Sequence, residues 1–446
     1  MEWGLCMAWV AVIIFVVATL TGGAAIAYVT GAAAVLSFLA ADQARHLAIL
    51  PQRVLSQLDV FTFLAMPLFI LAGEMMSRGG ITRALIDLAM LIVGRFRGGL
   101  GHVNVATSIF MSSMSGSAVA DAAATASALV PEMSKRGYPL EYATALTAAS
   151  SVLGPLIPPS VVMIFYGALM NVSVAALFAG GILPGLLVAA GLFAYNAYAA
   201  VRLDLPGGRD TRMPPVLPTV AKAVPALAVP AVMLGGIVFG VVTPTEAAAL
   251  AVVIAGITGV VYALHQPGVA TRQALRDYVS HLNAALERAA LLTGAIFVIL
   301  FAAAIFGYLV AIQNLPQQIA ALIDGLGISG VGYLLLITVF FLIIGTFMDN
   351  MMAMVLLVPL LIPAAIAGGA DPVHVGVVVC LNLTIGLVSP PVGGVLMVVS
   401  AMSGVSYLKL AWAILPLFLV LVVMLFVLVL FPEITLYIPR QAGFIQ

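Results

Sequence analysis

The strongest constraint on this chain is a pair of matching interruptions. Residues 154–160 read GPLIPPS and residues 386–392 read GLVSPPV, so Gly-x-x-x-Pro-Pro occurs twice inside runs otherwise apolar enough for membrane helices. Proline lacks the N–H that a helix interior needs, and its ring clashes with the preceding turn. Neither run can continue as one regular helix. Around them, apolar segments of spanning length recur at roughly 5–39, 58–76, 176–200, 220–241, 245–265, 283–311 and 410–432. Of the 446 residues, 63% are hydrophobic and 8% charged, against about 25% charged in soluble domains. Apolar surface on that scale needs a bilayer around it, and the chain reads as an all-α polytopic membrane protein. Its formal net charge of zero offers no basic face to nucleic acid.

Two further segments are interrupted by polarity rather than proline. Residues 101–131 carry SSMSGS (112–117) at their centre, and 331–366 carry GTFMDNMM (345–352). Each reads as a re-entrant hairpin, two half-length helices meeting at a polar tip. Residues 139–170 and 373–403 are the two discontinuous helices that contain the Gly-x-x-x-Pro-Pro breaks. Polar connections are expected at 41–57, 77–99, 132–138, 201–219 and 266–282, with ITRALIDLAMLIVG (81–94) amphipathic and suited to the membrane surface.

One offset relates these features. Shifted by about 232 residues without gaps, Pro131 falls on Pro363, Gly137 on Gly369, Gly154 on Gly386 and Pro158-Pro159 on Pro390-Pro391. Ile182-Leu183-Pro184 falls on Ile414-Leu415-Pro416, and the first hairpin tip on the second. The chain is therefore read as two repeats. Lys and Arg gather on the cytoplasmic side of membrane proteins. Arg95, Arg97, Lys135 and Arg136 flank the first hairpin, whereas Asp324 and Asp371 but no Lys or Arg flank the second. Threading on this basis leaves only Arg45, Arg53 and Arg440 of the 17 Lys and Arg outside, and the repeats are expected to be inverted.

Irregular backbone persists at membrane depth only where it is buried in protein or lines a cavity. Inverted repeats with broken helices are the architecture of secondary transporters, in which freed carbonyls hold a cation and half-helix N-termini attract an anion. Two breaks, each paired with a polar tip, predict two cation sites with substrate between them. Ser115, Gly116 and Ser117 of the first tip and Asn350 of the second are the expected substrate contacts. Oxygen-only coordination suits sodium; proton coupling would call for an intramembrane carboxylate, for which Glu74, Asp121, Glu246 and Asp349 are the candidates. Asp349 combines a tip position with a helix-capping pattern, and Asp121 is expected to hold the first tip through backbone N–H groups. Glu246 closes a capping box with Thr243, and Glu74 is placed to reach Arg78. Cys6 and Cys380 read as small buried thiols. The five histidines make no metal-ligand cluster, no Walker-type loop is present, and no Ser/His/Asp or Cys/His arrangement suggests an enzyme. A stand-alone ion-coupled carrier and a channel are the competing transport readings.

Several stretches carry a family resemblance: MPLFILAGEMMSRGGITRALIDLA (66–89), RGGLGHVNV (97–105), SGSAVADAAA (115–124), PEMSKRGY (131–138), TPTEAAA (243–249), FMDN (347–350), DPVHVGVV (371–378) and NLTIGLVSPPVG (382–393), together with GPLIPPS. In these the chain resembles the large membrane (M) subunit of tripartite ATP-independent periplasmic (TRAP) transporters. The resemblance implies sodium-coupled uptake of a small organic acid, of the dicarboxylate, sialic acid or 2-oxo acid class, into a bacterium across its inner membrane by an elevator motion. It implies a periplasmic binding protein (P type) and a small membrane subunit (Q type) as partners, two or more sodium ions, and no organic cofactor. The first sodium site would use Gly154, Ile157 and Pro159 with Ser113 and Ser115. The second would use Gly386, Ser389 and Pro391 with Gly345, Met348 and Asp349. Residues 1–100 and 201–330 would be scaffold and arm segments of the two repeats. Residues 101–200 and 331–446 would be the transport-domain halves.

Overall fold

The structure is a computed structural model and describes all residues except 1–10, 12–13, 17, 20–23, 42, 79–80, 208–212, 266–269, 326, 329 and 446. Every regular element among the described residues is helical, and seven helices are long and apolar enough to cross a membrane. Helix α1 (Ile26–Ala40) starts after an extended Ala25. Much of the expected 5–39 span, with Gly22-Gly23 and Cys6, lies outside the described residues. The connection expected at 41–57 is instead helical, a 3-10 turn at Ala44–Ile49 followed by α2 (Leu50–Leu58). Pro51 sits in the first turn of α2, where its missing N–H has no helical partner to lose. A bend of 59° then leads into α3 (Ala65–Arg78), so the span expected at 58–76 begins at a break. Helix α4 (Ile81–Val93) is the expected amphipathic arm, burying Ile81, Ala84, Leu85 and Leu88 along one face.

The first hairpin is α5 (Gly99–Ser115) and α6 (Ala118–Lys135); α7 (Leu140–Ser150) and α8 (Val161–Met170) flank the first break, and α9 (Val174–Arg202) follows. Helices α10 (Val216–Val238) and α11 (Pro244–Leu264) lead to α12 (Thr271–Ile312), whose 42 residues absorb most of the connection expected at 266–282. The second hairpin, α14 (Gly330–Phe347) and α15 (Asn350–Ala367), follows the short α13 (Leu315–Gly325), and its arms are not the expected half-length helices: at 18 residues each is long and apolar enough to cross a membrane. Helices α16 (Pro372–Gly386) and α17 (Gly394–Ser403) flank the second break, before α18 (Tyr407–Leu430) and α19 (Glu433–Gln441).

Element bounds obey the offset of 232. Shifting 99–115 gives 331–347 against 330–347 for α14, and shifting 118–135 gives 350–367, the bounds of α15. The N-caps of α6 and α15, Ser117 and Asp349, are separated by the same interval. Packing is reciprocal as well: α8 lies on α15 while α17 lies on α6, and α7 meets α18 while α16 meets α9.

Within each repeat the hairpin is tied to its own broken helix by buried amides. Asn104 of α5 donates to Thr147 Oγ1 at 2.6 Å and accepts from Ser150 Oγ at 2.9 Å. In the second repeat Asn382, at the position equivalent to Ser150, donates to the Thr338 carbonyl at 2.7 Å, and Asn350 donates to Thr384 Oγ1 at 3.2 Å. Asn104 has partners on both its amide atoms, whereas the Oδ1 atoms of Asn350 and Asn382 have none; buried polar contacts of this kind favour one arrangement in a core that apolar packing alone would leave permissive.

Candidate functional site

Each hairpin tip is pressed onto the break of its own repeat. Gly116 ends α5 with φ +61°, a conformation that favours glycine, and a Cβ there would lie 2.8 Å from the Pro159 carbonyl oxygen. A Cβ on Gly154 would lie 2.6 Å from Asp121 Oδ2 and 3.2 Å from the Ser117 carbonyl carbon. At the second break a Cβ on Gly386 would lie 2.6 Å from Gly345 Cα, and Gly393 N–H donates to the Thr346 carbonyl at 3.3 Å. Both Pro-Pro bonds are cis. The glycines of the two motifs thus let backbone meet backbone where the helices are interrupted.

Asp121 behaves differently from expectation. It lies one turn inside α6, where backbone N–H groups already have helical partners, and the capping role falls to Ser117, whose Oγ accepts from Ala120 N–H. Asp121 is fully buried; its Oδ1 accepts from Ser115 Oγ at 2.5 Å, and its Oδ2 has no hydrogen-bond partner. A buried carboxylate oxygen left unpaired is costly unless a positive charge meets it. This oxygen faces Gly154, at the edge of the break.

Between the tips lies a cavity of about 180 Å³. Ser115, Gly116, Ser117 and Asp121 line it from the first repeat, and Asp349, Asn350 and Met351 from the second. Helix α3 contributes Ile70, Gly73, Glu74 and Ser77, and α12 contributes Leu292 and Ile296. Three carboxylates border the space, and among the described residues no Lys or Arg does. The N-termini of α6 and α15 open on it, bringing positive helix-dipole ends together. Asn350 is only 4% exposed, and its Oδ1 has no partner.

All four expected substrate contacts, Ser115, Gly116, Ser117 and Asn350, line this cavity. Of the expected cation ligands, Ser115 and Asp349 line it too, while Asp349 Oδ1 also caps α15 through Met351 N–H at 2.9 Å. Gly154, Ile157 and Pro159 are buried outside that lining, at the first break. Ser113 turns back along α5 and donates to the Phe110 carbonyl at 2.7 Å. Gly345 meets Gly386 at the second break; Ser389 Oγ donates to the Pro390 carbonyl at 3.2 Å, Met348 is half-buried and Pro391 is exposed. The Thr243–Glu246 capping box is formed, and Cys380 is a buried free thiol. The side chain of Arg78, the expected partner of Glu74, lies outside the described residues. Sequence reasoning missed α3 as a wall of the site, although Gly73, whose Cβ would lie 2.9 Å from the Met114 carbonyl oxygen, sits in a motif quoted above.

The model of the family described as "Tripartite ATP-independent periplasmic transporter, DctM component" matches residues 12–434. The chain belongs to this family. It is 35% identical to the sialic acid TRAP transporter large permease protein SiaM of Vibrio cholerae, over 91% of this chain and 92% of that one. It is also 35% identical to the 2,3-diketo-L-gulonate TRAP transporter large permease protein YiaN of Escherichia coli, over 86% and 88% of the two chains. Its fold is similar to that of the YdaH transporter of Alcanivorax borkumensis, with a TM-score of 0.65 at 18% identity, covering 89% of this chain and 90% of that one. This DctM-family chain is accordingly a TRAP large membrane subunit, multi-pass in the inner membrane.

Two clefts of the TRAP subunit occupy equivalent places and differ in size. The first, about 750 Å³, separates α4 (Arg83, Ile86, Asp87) from α6 (Ala128, Glu132, Arg136). The second, between the counterparts α13 (Ala320, Ile323) and α15 (Ala364, Ala367), holds about 80 Å³. Helix α15 packs on α12 and α13; among the described residues α6 makes no comparable packing with α3 or α4, which hold α5 instead. Ser77 lines both the open cleft and the tip cavity, so the two spaces adjoin.

Proposed function

We propose that this subunit couples inward sodium movement to uptake of a small organic anion, delivered by a periplasmic binding protein, with a small membrane subunit at its side. The observation that carries the reading is the orphaned Asp121 Oδ2, buried against the first break beside a cavity bordered by three carboxylates. An anion entering that cavity needs positive charge from somewhere. Helix N-termini supply part of it, and cations held at the two breaks supply the rest. Asp121, Ser115 and the Gly154 break would hold one sodium ion; Asp349, Gly345 and the Gly386 break would hold another. The donor set is all oxygen, which suits a hard monovalent cation. The carboxylate carried by sialic acid and by 2,3-diketo-L-gulonate, substrates of the two relatives, is the group expected between the tips.

The unequal clefts support an elevator. Residues 101–200 and 331–446 would move as one body against a scaffold of 1–100 and 201–330, and α6 would close on α4 as α15 leaves α13. The Lys and Arg around the first hairpin favour a cytoplasmic opening for the larger cleft.

The test is thermal. Melting of the detergent-purified subunit is compared in sodium, potassium and choline chloride at equal ionic strength, since an ion that binds only the folded state stabilises it by mass action. A sodium-specific rise that Asp121→Asn reduces is the expected result. Equal melting in all three salts would refute sodium coupling at this site.

A further inference from the structure

We infer that a groove between α1, α2 and α12 binds an anionic phospholipid of the outer leaflet, its phosphate on Arg53 and one acyl chain along α12. The groove holds about 420 Å³ and is bordered by Tyr28, Gly31 and Ala32 of α1, Leu58 of α2, and Phe301 and Ile305 of α12. Gly31 lies against α12, where a Cβ on it would be 3.7 Å from that of Ala302. Tyr28 and Phe301 stand beside this approach, 67% and 49% exposed. Among the described residues none that borders the groove is charged. All of it belongs to segments assigned to the scaffold, so the site is independent of the ion and substrate readings above.

An apolar groove in a bilayer touches lipid of any kind, and its tail contacts alone give no selectivity, because the surrounding chains are as apolar as the protein. Selectivity has to come from the end of the groove that reaches the head groups. The groove runs along α12 from Phe297 to Ile305, and Tyr308 follows one turn later on the same face. The 11 residues from Phe297 to Tyr308 cover roughly 16 Å of helix. Half of a hydrocarbon core is about 15 Å, so the groove matches one leaflet. The distribution of Lys and Arg puts the Arg53 end outside.

A cation waits at that end. The Arg53 guanidinium carbon lies 5.1 Å from the centre of the Tyr308 ring, and His46 Nδ1 lies 3.1 Å from the Tyr308 hydroxyl. Ile305 and Tyr308 pack on one small core with Phe38 and Leu50, which joins the apolar groove to the cationic end. Attraction to the ring holds the guanidinium without using its N–H groups. Arg53 is exposed and forms no ion pair among the described residues, Asp59 beyond the end of α2 included. Its N–H fork therefore faces outward with the geometry that binds a phosphate through two parallel hydrogen bonds. Phosphatidylglycerol offers that phosphate with no positive charge of its own. Phosphatidylethanolamine would bring an ammonium beside Arg53, and diacylglycerol would leave the guanidinium without a partner.

The experiment titrates the delipidated, purified subunit with these three lipids and with inorganic phosphate, counting bound molecules by native mass spectrometry. Phosphatidylglycerol should bind most tightly, and Arg53→Gln should weaken it about fivefold while leaving diacylglycerol binding unchanged. Ala32→Phe, which fills the groove, should abolish tight binding of all three lipids. Melting without lipid that equals the parent's shows that each variant is folded. Arg53→Gln, at an exposed position, decides the matter by itself should Ala32→Phe melt early. Equal binding of phosphatidylglycerol and diacylglycerol, or undiminished phosphatidylglycerol binding by Arg53→Gln, would overturn the inference. Inorganic phosphate binding as tightly as the lipid would overturn it too, leaving an anion site without a tail groove. Loss of the bound lipid when the small membrane subunit is co-purified would make the groove a subunit interface instead.

Discussion

Asp121→Asn separates a binding role from a structural one because the two roles predict opposite signs. The substitution keeps the size of the side chain and an acceptor for Ser115 Oγ, and removes the charge. In the parent protein that charge is fully buried with Oδ2 unpaired. Effective penalties for an unpaired buried ion are several kcal/mol, so in choline chloride the variant should melt later, by the equivalent of about 1–3 kcal/mol. Sodium closes or reverses that gap. A site saturated at about 100 times its Kd stabilises the parent by about 2.7 kcal/mol. If losing the carboxylate weakens that site about 100-fold, the scale of a hydrogen bond to a charged group, its contribution at the same sodium concentration falls to about 0.4 kcal/mol. With a second site intact at the Gly386 break, roughly half of the sodium-induced rise should remain. The assay is a sodium titration of the melting midpoint of parent and variant, with potassium and choline as controls. A variant that keeps the full sodium rise, or that is destabilised equally in choline and in sodium, would refute the argument and make Asp121 a purely structural residue.

Other substitutions probe the surrounding architecture. Gly116→Ala places a Cβ 2.8 Å from the Pro159 carbonyl oxygen at φ +61° and should abolish sodium-dependent uptake, whereas Gly294→Ala, with nothing within 4 Å of its Cβ, should leave uptake unchanged; radiolabel uptake by cells compares them. Asn104→Ala removes a fully buried amide that bonds both Thr147 and Ser150 and should lower stability by about 1–3 kcal/mol, read as an earlier melting midpoint in every salt. Ser127→Cys, on the open cleft, should react with a membrane-impermeant maleimide in inside-out vesicles, and Ala364→Cys, on the closed counterpart, should not. Reaction of Ser127→Cys only from the outer face would reverse the assigned orientation.

The repeat was legible in the sequence because its signals are local. Proline and glycine report the backbone directly, so Gly154 with Pro158-Pro159 and Gly386 with Pro390-Pro391 located both breaks, and the serine-rich and Asp-Asn tips located both hairpins. Residues 44–58 and 271–282 are helical for the complementary reason: their polarity suggests a connection, but charged side chains are compatible with a helix that buries one narrow stripe, such as Leu50 and Val54. The site divides in the same way. Asp349 could be placed at its tip by its capping pattern, whereas the isolation of Asp121 Oδ2 depends on Gly154 having come to rest against α6. The difference between the clefts was least accessible of all. Two repeats with equivalent patterns specify two equivalent interfaces, arm to first hairpin helix and arm to second, and the elevator proposed above would have each repeat adopt either in turn. The structure has α4 on α5 in one repeat and α13 on α15 in the other. Pattern symmetry therefore predicts a pair of exchangeable packings rather than one, and the asymmetry seen between 750 Å³ and 80 Å³ is a choice between them that no single residue encodes.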